Sequence, residues 1–151
     1  METSKLRTVG WIGFGKMGMP ICRRLAAAGI KVTVLARNDA GAAKAEQAGF
    51  AFVRSLEALA GADAVISAVP DDAALSNIMT ANFLASLRPG SLVIDISTVS
   101  PSISAEVADK LAPTGANYLR APVSGSTVHA ACGQLTVMVS GPRSAFDDAQ
   151  A

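Results

Sequence analysis

Histidine occurs once, at His129, and cysteine twice, at Cys22 and Cys132, in a chain of 151 residues. So few histidines and cysteines, at no ligand spacing, do not suggest a metal centre. The two cysteines read as unpaired small residues, in keeping with a reducing, cytoplasmic setting. An excess of charge of one sign is missing too: 13 Lys and Arg stand against 12 Asp and Glu, and aromatics make up 5%. Without a basic run or basic–aromatic interleaving, nucleic acid is not an expected partner. No apolar stretch is long enough to span a bilayer, and Met1 to Arg7 carry no apolar signal core. What the chain does have is a 50% apolar content rich in alanine, enough for one full core.

Thr8-Val-Gly-Trp-Ile12 reads as a short buried strand that runs directly into Gly13-Phe14-Gly15-Lys16-Met17-Gly18. Gly-x-Gly-x-x-Gly between a strand and a helix is a dinucleotide-binding pattern with a mechanism. Gly13 makes the tight turn, Gly15 lets backbone approach a pyrophosphate, and Gly18 lets the helix pack on the sheet. The helix is expected from near Lys16, so that its free N–H groups face the anion.

The second strand, Ile30 to Leu35, is expected to end about twenty residues after the glycines, where NAD-binding domains offer an acid to the ribose. Ala36 stands there instead, followed by Arg37 and Asn38. A guanidinium at that point suits a 2′-phosphate, which favours NADP(H), with NAD(H) possible. The alternative is that Arg37 is a solvated charge and Asp39 takes the ribose. Asp39 is otherwise expected to cap a helix over Ala40 to Ala48.

Strands are expected near 7–12, 30–35, 51–53, 63–68, 91–96 and 116–120, alternating with helices. That is the pattern of an α/β, Rossmann-type doubly wound, mainly parallel sheet with helices on both faces. The first helix carries Met17, Ile21, Leu25 and Ala28 at helical spacing and stops at Gly29. Another is expected over 101–111, with Ser100 as N-cap, Pro101 in the first turn, and Ile103, Val107 and Leu111 facing the sheet. Gln134 to Ser140 alternates, with Leu135, Val137 and Val139 on one side, and reads as a half-buried edge strand that can pair antiparallel. Gly141-Pro142 ends it, and a helix begins at Arg143 and runs toward Ala151. His129 and Cys132 fall in a loop on this reading.

Three more segments fall at carboxyl ends of expected strands, where open α/β sheets bind ligands. They are Ser67-Ala-Val69-Pro70-Asp-Asp72, Asp95-Ile-Ser97-Thr98-Val-Ser-Pro101 and Ala121-Pro122-Val123-Ser124-Gly125-Ser126. With the glycine loop and Arg37, they make the chain resemble, over essentially its whole length, the N-terminal domain of the β-hydroxyacid dehydrogenase family. That family includes 3-hydroxyisobutyrate dehydrogenase, 2-hydroxy-3-oxopropionate reductase and, more distantly, 6-phosphogluconate dehydrogenase and the imine reductases. The resemblance implies that Val69 and Pro70 lie along the adenosine side of the cofactor and Thr98 near the nicotinamide ribose, with Ser124 and Gly125 holding a substrate carboxylate. The plainer alternatives are a turn at Val69-Pro70, a helix-entry hydroxyl at Thr98 and a stiffened turn at Ser124. The implied activity is hydride transfer between NADP(H) and a short β-hydroxy acid or semialdehyde.

The chain departs from the family at Arg120, where an Asp is common, and at Ser126, where Gly is usual. Arg120 either favours a more acidic substrate or is simply exposed. His129 is no proton donor on this reading, since it has no visible orienting partner. The family's lysine, within Gly-x-x-Lys-x-x-x-Asn, is expected beyond Ala151, on the way to a helical second domain. None of Lys5, Lys16, Lys31, Lys44 and Lys110 has that motif around it. Residues 1–151 are therefore expected to be the cofactor domain, prone to self-association or to pairing with the helical domain. The competing readings are a stand-alone NADP(H)-binding sensor or partner module, and the cofactor domain of an imine-reductase-like enzyme. Imine reductases generally lack the Pro-Val-Ser-Gly loop present here.

Overall fold

The computed structural model describes residues 6–150, so Lys5 and Ala151 lie outside the described residues. Six strands form one parallel sheet: β1 (Thr8–Ile12), β2 (Lys31–Leu35), β3 (Ala51–Val53), β4 (Ala64–Ser67), β5 (Leu92–Asp95) and β6 (Asn117–Arg120). Their order is β3-β2-β1-β4-β5-β6, so the direction of winding reverses between β1 and β4. A crevice opens at the carboxyl ends of those two strands, as it must at such a switch point. Every residue of β4 and β5 is buried, which is why these central strands are nearly unbroken apolar runs.

Alternation along each strand divides the core in two. Trp11, Val34, Ile66 and Ile94 face one layer, which is covered by Cys22 of α1 (Gly18–Ala27), Ala45 of α2 (Asp39–Gln47) and Ala145 of α7 (Arg143–Ala149). Ile12, Val65 and Val93 face the other, against Leu75 of α3 (Asp72–Ile78), Phe83 of α4 (Ala81–Ser86) and Val107 of α5 (Pro101–Leu111). Each of these larger side chains adds about 1.5–3 kcal/mol by leaving water. Burial pushes the Cys22 thiol up to about 12, which keeps it protonated and inert. Among the described residues no helix is long and apolar enough to cross a membrane.

Four local expectations need correction. Helix α1 begins at Gly18 rather than Lys16, and its sheet-facing line is Gly18 and Cys22, with Ile21 and Leu25 only partly buried and Ala28 exposed. The helix lies so close to Trp11 that only small residues fit beneath it. Helix α2 is capped by Asn38, whose side chain accepts from the Gly41 N–H at 2.8 Å, and Asp39 is its first residue. His129 and Cys132 lie on a helix, α6 (Thr127–Cys132).

Finally, residues 134–140 contribute only β8 (Thr136–Val137), antiparallel to β7 (Val123–Ser124), and a bridge from Ser140 to Arg120. Val137, Met138 and Val139 are 49%, 55% and 38% exposed. The antiparallel edge is present, but these apolar side chains of it stay open to solvent.

Candidate functional site

The three glycines of the loop have different surroundings. Gly13 has φ +96°, and a Cβ there would stand 1.9 Å from the Ala68 carbonyl oxygen. At Gly18 it would stand 2.2 Å from the Gly13 carbonyl oxygen and 2.7 Å from Trp11 Nε1. That indole donates to the same Gly13 carbonyl at 3.1 Å, so Trp11 holds the turn from beneath. Gly15 meets nothing within 4 Å. The outer two glycines therefore serve the fold, and the middle one leaves open space above the backbone.

That space belongs to a cleft of about 570 Å³ at the switch point, between the glycine loop and the ends of β4 and β5. Helix α1 opens onto it without a side-chain cap. Met19 donates its N–H to the Gly15 carbonyl at 3.1 Å and Pro20 has none, which leaves the Gly18 N–H and the positive end of the helix dipole to face an anion. Of the residues singled out in the sequence, Gly13 to Gly18, Val69, Pro70, Thr98 and Gly125 line this one cleft. Arg37, Asn38 and Ser124 do not line it. Lys16 is exposed at its mouth, and Lys44 fixes the loop from outside by donating to the Phe14 carbonyl at 2.9 Å.

The wall under Val69 and Thr98 is set by a buried carboxylate that sequence reading had placed in a motif without giving it a task. Asp95 Oδ1 accepts from the hydroxyls of Ser67 at 2.6 Å and Ser97 at 2.7 Å, and Ser97 Oγ accepts from the Val69 N–H at 2.8 Å. The ends of β4 and β5 are thereby tied together. Thr98 stays exposed, and the helix-entry duty falls to Ser100, whose Oγ accepts from the Ile103 N–H. Asp72 takes both the Ser100 N–H at 2.8 Å and its hydroxyl. Those bonds hold the Asp72 carboxyl below the usual carboxylate range.

At the end of β2, Arg37 is exposed. Asp39 is engaged by Arg54 Nη2 at 2.8 Å, an arginine at the end of β3 that the sequence offered no reason to single out. Its place beside Asp39 follows from the pairing of β2 with β3.

The loop at 124–126 leads into α6 through a reciprocal cap. Ser126 donates its N–H to His129 Nδ1 at 3.0 Å, and the His129 N–H points to Ser126 Oγ. His129 thus has an orienting partner after all, and its Nδ1 is the acceptor. His129→Ala is expected to lower unfolding stability by about 1 kcal/mol, the usual worth of such a cap. A urea midpoint that matches the parent protein would show that the cap contributes nothing.

Residues 8–151 match the family model described as the NAD binding domain of 6-phosphogluconate dehydrogenase. Among curated relatives, 2-(hydroxymethyl)glutarate dehydrogenase of Eubacterium barkeri is 31% identical over 94% of this chain and 48% of its own length. Among solved structures, Mycobacterium tuberculosis 3-hydroxyisobutyrate dehydrogenase with L-serine superposes with a TM-score of 0.88 and 36% identity, over 96% of this chain and 50% of that one. Psf3 in complex with NADP+ and 2-OPP gives a TM-score of 0.84 and 32% identity, over 92% and 50%. The chain thus spans about half the length of the relatives it matches. The pattern of strands, the glycine loop and the matched span agree: this chain belongs to the family of the NAD-binding domain of 6-phosphogluconate dehydrogenase.

Proposed function

We propose that this chain is the NADP(H)-binding part of a β-hydroxyacid dehydrogenase or reductase acting on a short hydroxy acid or semialdehyde. The observation that carries the reading is Gly15, a glycine in ordinary backbone conformation with nothing within 4 Å of where a side chain would begin. No packing demand accounts for glycine there, whereas a pyrophosphate approaching the backbone does. A dinucleotide would lie along Gly13 to Gly18 with its phosphates on the start of α1, pass Val69 and Pro70, and bring its nicotinamide end toward Thr98. When bound, it supplies a hydride donor or acceptor. The chain's own groups position it: Asp95 through Ser97 sets the wall, and Ser124 with Gly125 offers a hydroxyl and backbone N–H groups to a carboxylate. The relatives' hydroxy-acid names support the substrate class.

Titration with NADPH and NADH tests the reading. Residues 1–151 are expected to bind dinucleotide and to show no hydroxy-acid oxidation by themselves, because the family's Gly-x-x-Lys-x-x-x-Asn motif has no counterpart in them. General acid/base catalysis supplies about 10²–10⁴-fold. Absence of binding by either dinucleotide would overturn the proposal. Robust turnover by these residues alone would show that the proton donor lies within them, and His129 would be the first to replace.

A further inference from the structure

A second cavity, of about 520 Å³, lies between the start of α5 and the edge made by β6 and residues 136–140. Ser97 and Thr98 line both this cavity and the glycine-loop cleft, so the two adjoin. Val99, Pro122, Met138 and Val139 give the second cavity an apolar wall, and Asp95 and Arg120 bring two opposite charges to it.

Arg120 is a cation at the carboxyl end of β6. It stands in register with Asp95 across the β5–β6 pair. Asp95 Oδ1 is occupied by the Ser67 and Ser97 hydroxyls, and among the described residues no ion pair reaches Arg120. Its Nε is buried without an acceptor. On its flank the guanidinium lies 5.7 Å from the Tyr118 ring, and Ser104 and Arg120 are the side chains beside the buried Tyr118 hydroxyl. A buried donor on a cation with no acceptor is costly, and a guanidinium fork is shaped for a carboxylate.

We infer that this cavity receives the distal carboxylate of a dicarboxylic hydroxy acid or semialdehyde, with Arg120 as the residue that selects for it. The inference rests on the cofactor-domain reading, because the cavity serves a substrate only if the adjoining cleft holds the dinucleotide. Asp95 in the same wall decides the charge of the ligand group: a singly charged carboxylate is tolerated beside it, whereas a phosphate dianion meets stronger repulsion. The apolar wall suits the methylenes of a four- or five-carbon diacid.

The test compares glutarate with valerate, which has the same chain length and one carboxylate fewer, on the chain saturated with NADP+. Glutarate is expected to bind about tenfold more tightly and to shift the Arg120 Nε–H resonance. Arg120→Gln is expected to bring glutarate down to the valerate level with NADPH affinity unchanged. Arg120→Lys, which keeps the charge and loses the fork, is expected to fall between them and serves if the Gln variant does not fold. Equal affinities for the two acids, or a glutarate preference that survives Arg120→Gln, would overturn the inference. A chain that fails to bind NADP+ would sink the cofactor reading and with it the substrate role of the cavity, while the same two titrations without dinucleotide would still show whether Arg120 selects for a second carboxylate.

Discussion

Gly15→Val is expected to weaken binding of NADPH and NADH alike by at least about a hundredfold while leaving the fold intact, a loss of roughly 2.7 kcal/mol or more. Both halves of this expectation follow from the geometry. The added side chain starts in open space, so nothing in the protein has to move. That same space is where a pyrophosphate would meet the backbone, and a branched side chain holds it off. Gly13 and Gly18 behave differently. A methyl at either one collides with backbone at 1.9 or 2.2 Å, and Gly13→Ala carries the further strain of a left-handed φ. Circular dichroism and a urea midpoint recorded with the titration separate these cases. A folded Gly15→Val protein that binds normally would show that the loop is only a turn.

The unmodified chain is expected to bind NADPH ten- to a hundredfold more tightly than NADH, roughly 1.4–2.7 kcal/mol. Arg37→Ala should erase most of that difference by weakening NADPH alone. The guanidinium sits exposed at the end of β2, where a 2′-phosphate can take charge-assisted hydrogen bonds. The nearest competing acid, Asp39, is drawn to Arg54, which lessens its repulsion of a phosphate and its availability to a ribose. Because the pairing is at the surface, the preference should shrink as salt rises. Equal affinities in the unmodified protein would remove Arg37 from the assignment and return the ribose to Asp39.

Much of the fold was legible because its signals are local. A strand running into spaced glycines, Gly29 closing α1 with φ +88°, and Ser100 with Pro101 opening α5 over Pro101–Leu111 each involve residues a few positions apart. The shorter helices α3, α4 and α6 went unread, since six or seven residues give almost no periodicity and their starts are set by local capping side chains. The exchange of Asn38 for Asp39 as the α2 cap is a similar case: both residues can cap, and the pairing of β2 with β3 brings Arg54 to the acid.

By itself, then, the sequence determined the order of the six parallel strands and the longer helices, the glycine loop and the kind of ligand such a loop admits. These depend on the chemistry of neighbouring residues and on hydrophobic period. Tertiary structure alone decided that Ser67, Asp95 and Ser97 form one network, that Arg54 engages Asp39, and that Arg120 faces a cavity beside Asp95 without pairing to it. Asp95 and Ser97 aside, the residues in these contacts stand far apart along the chain. What joins them is the register of parallel strands, which is set by burial of the whole sheet between its two helical layers rather than by any short run of sequence.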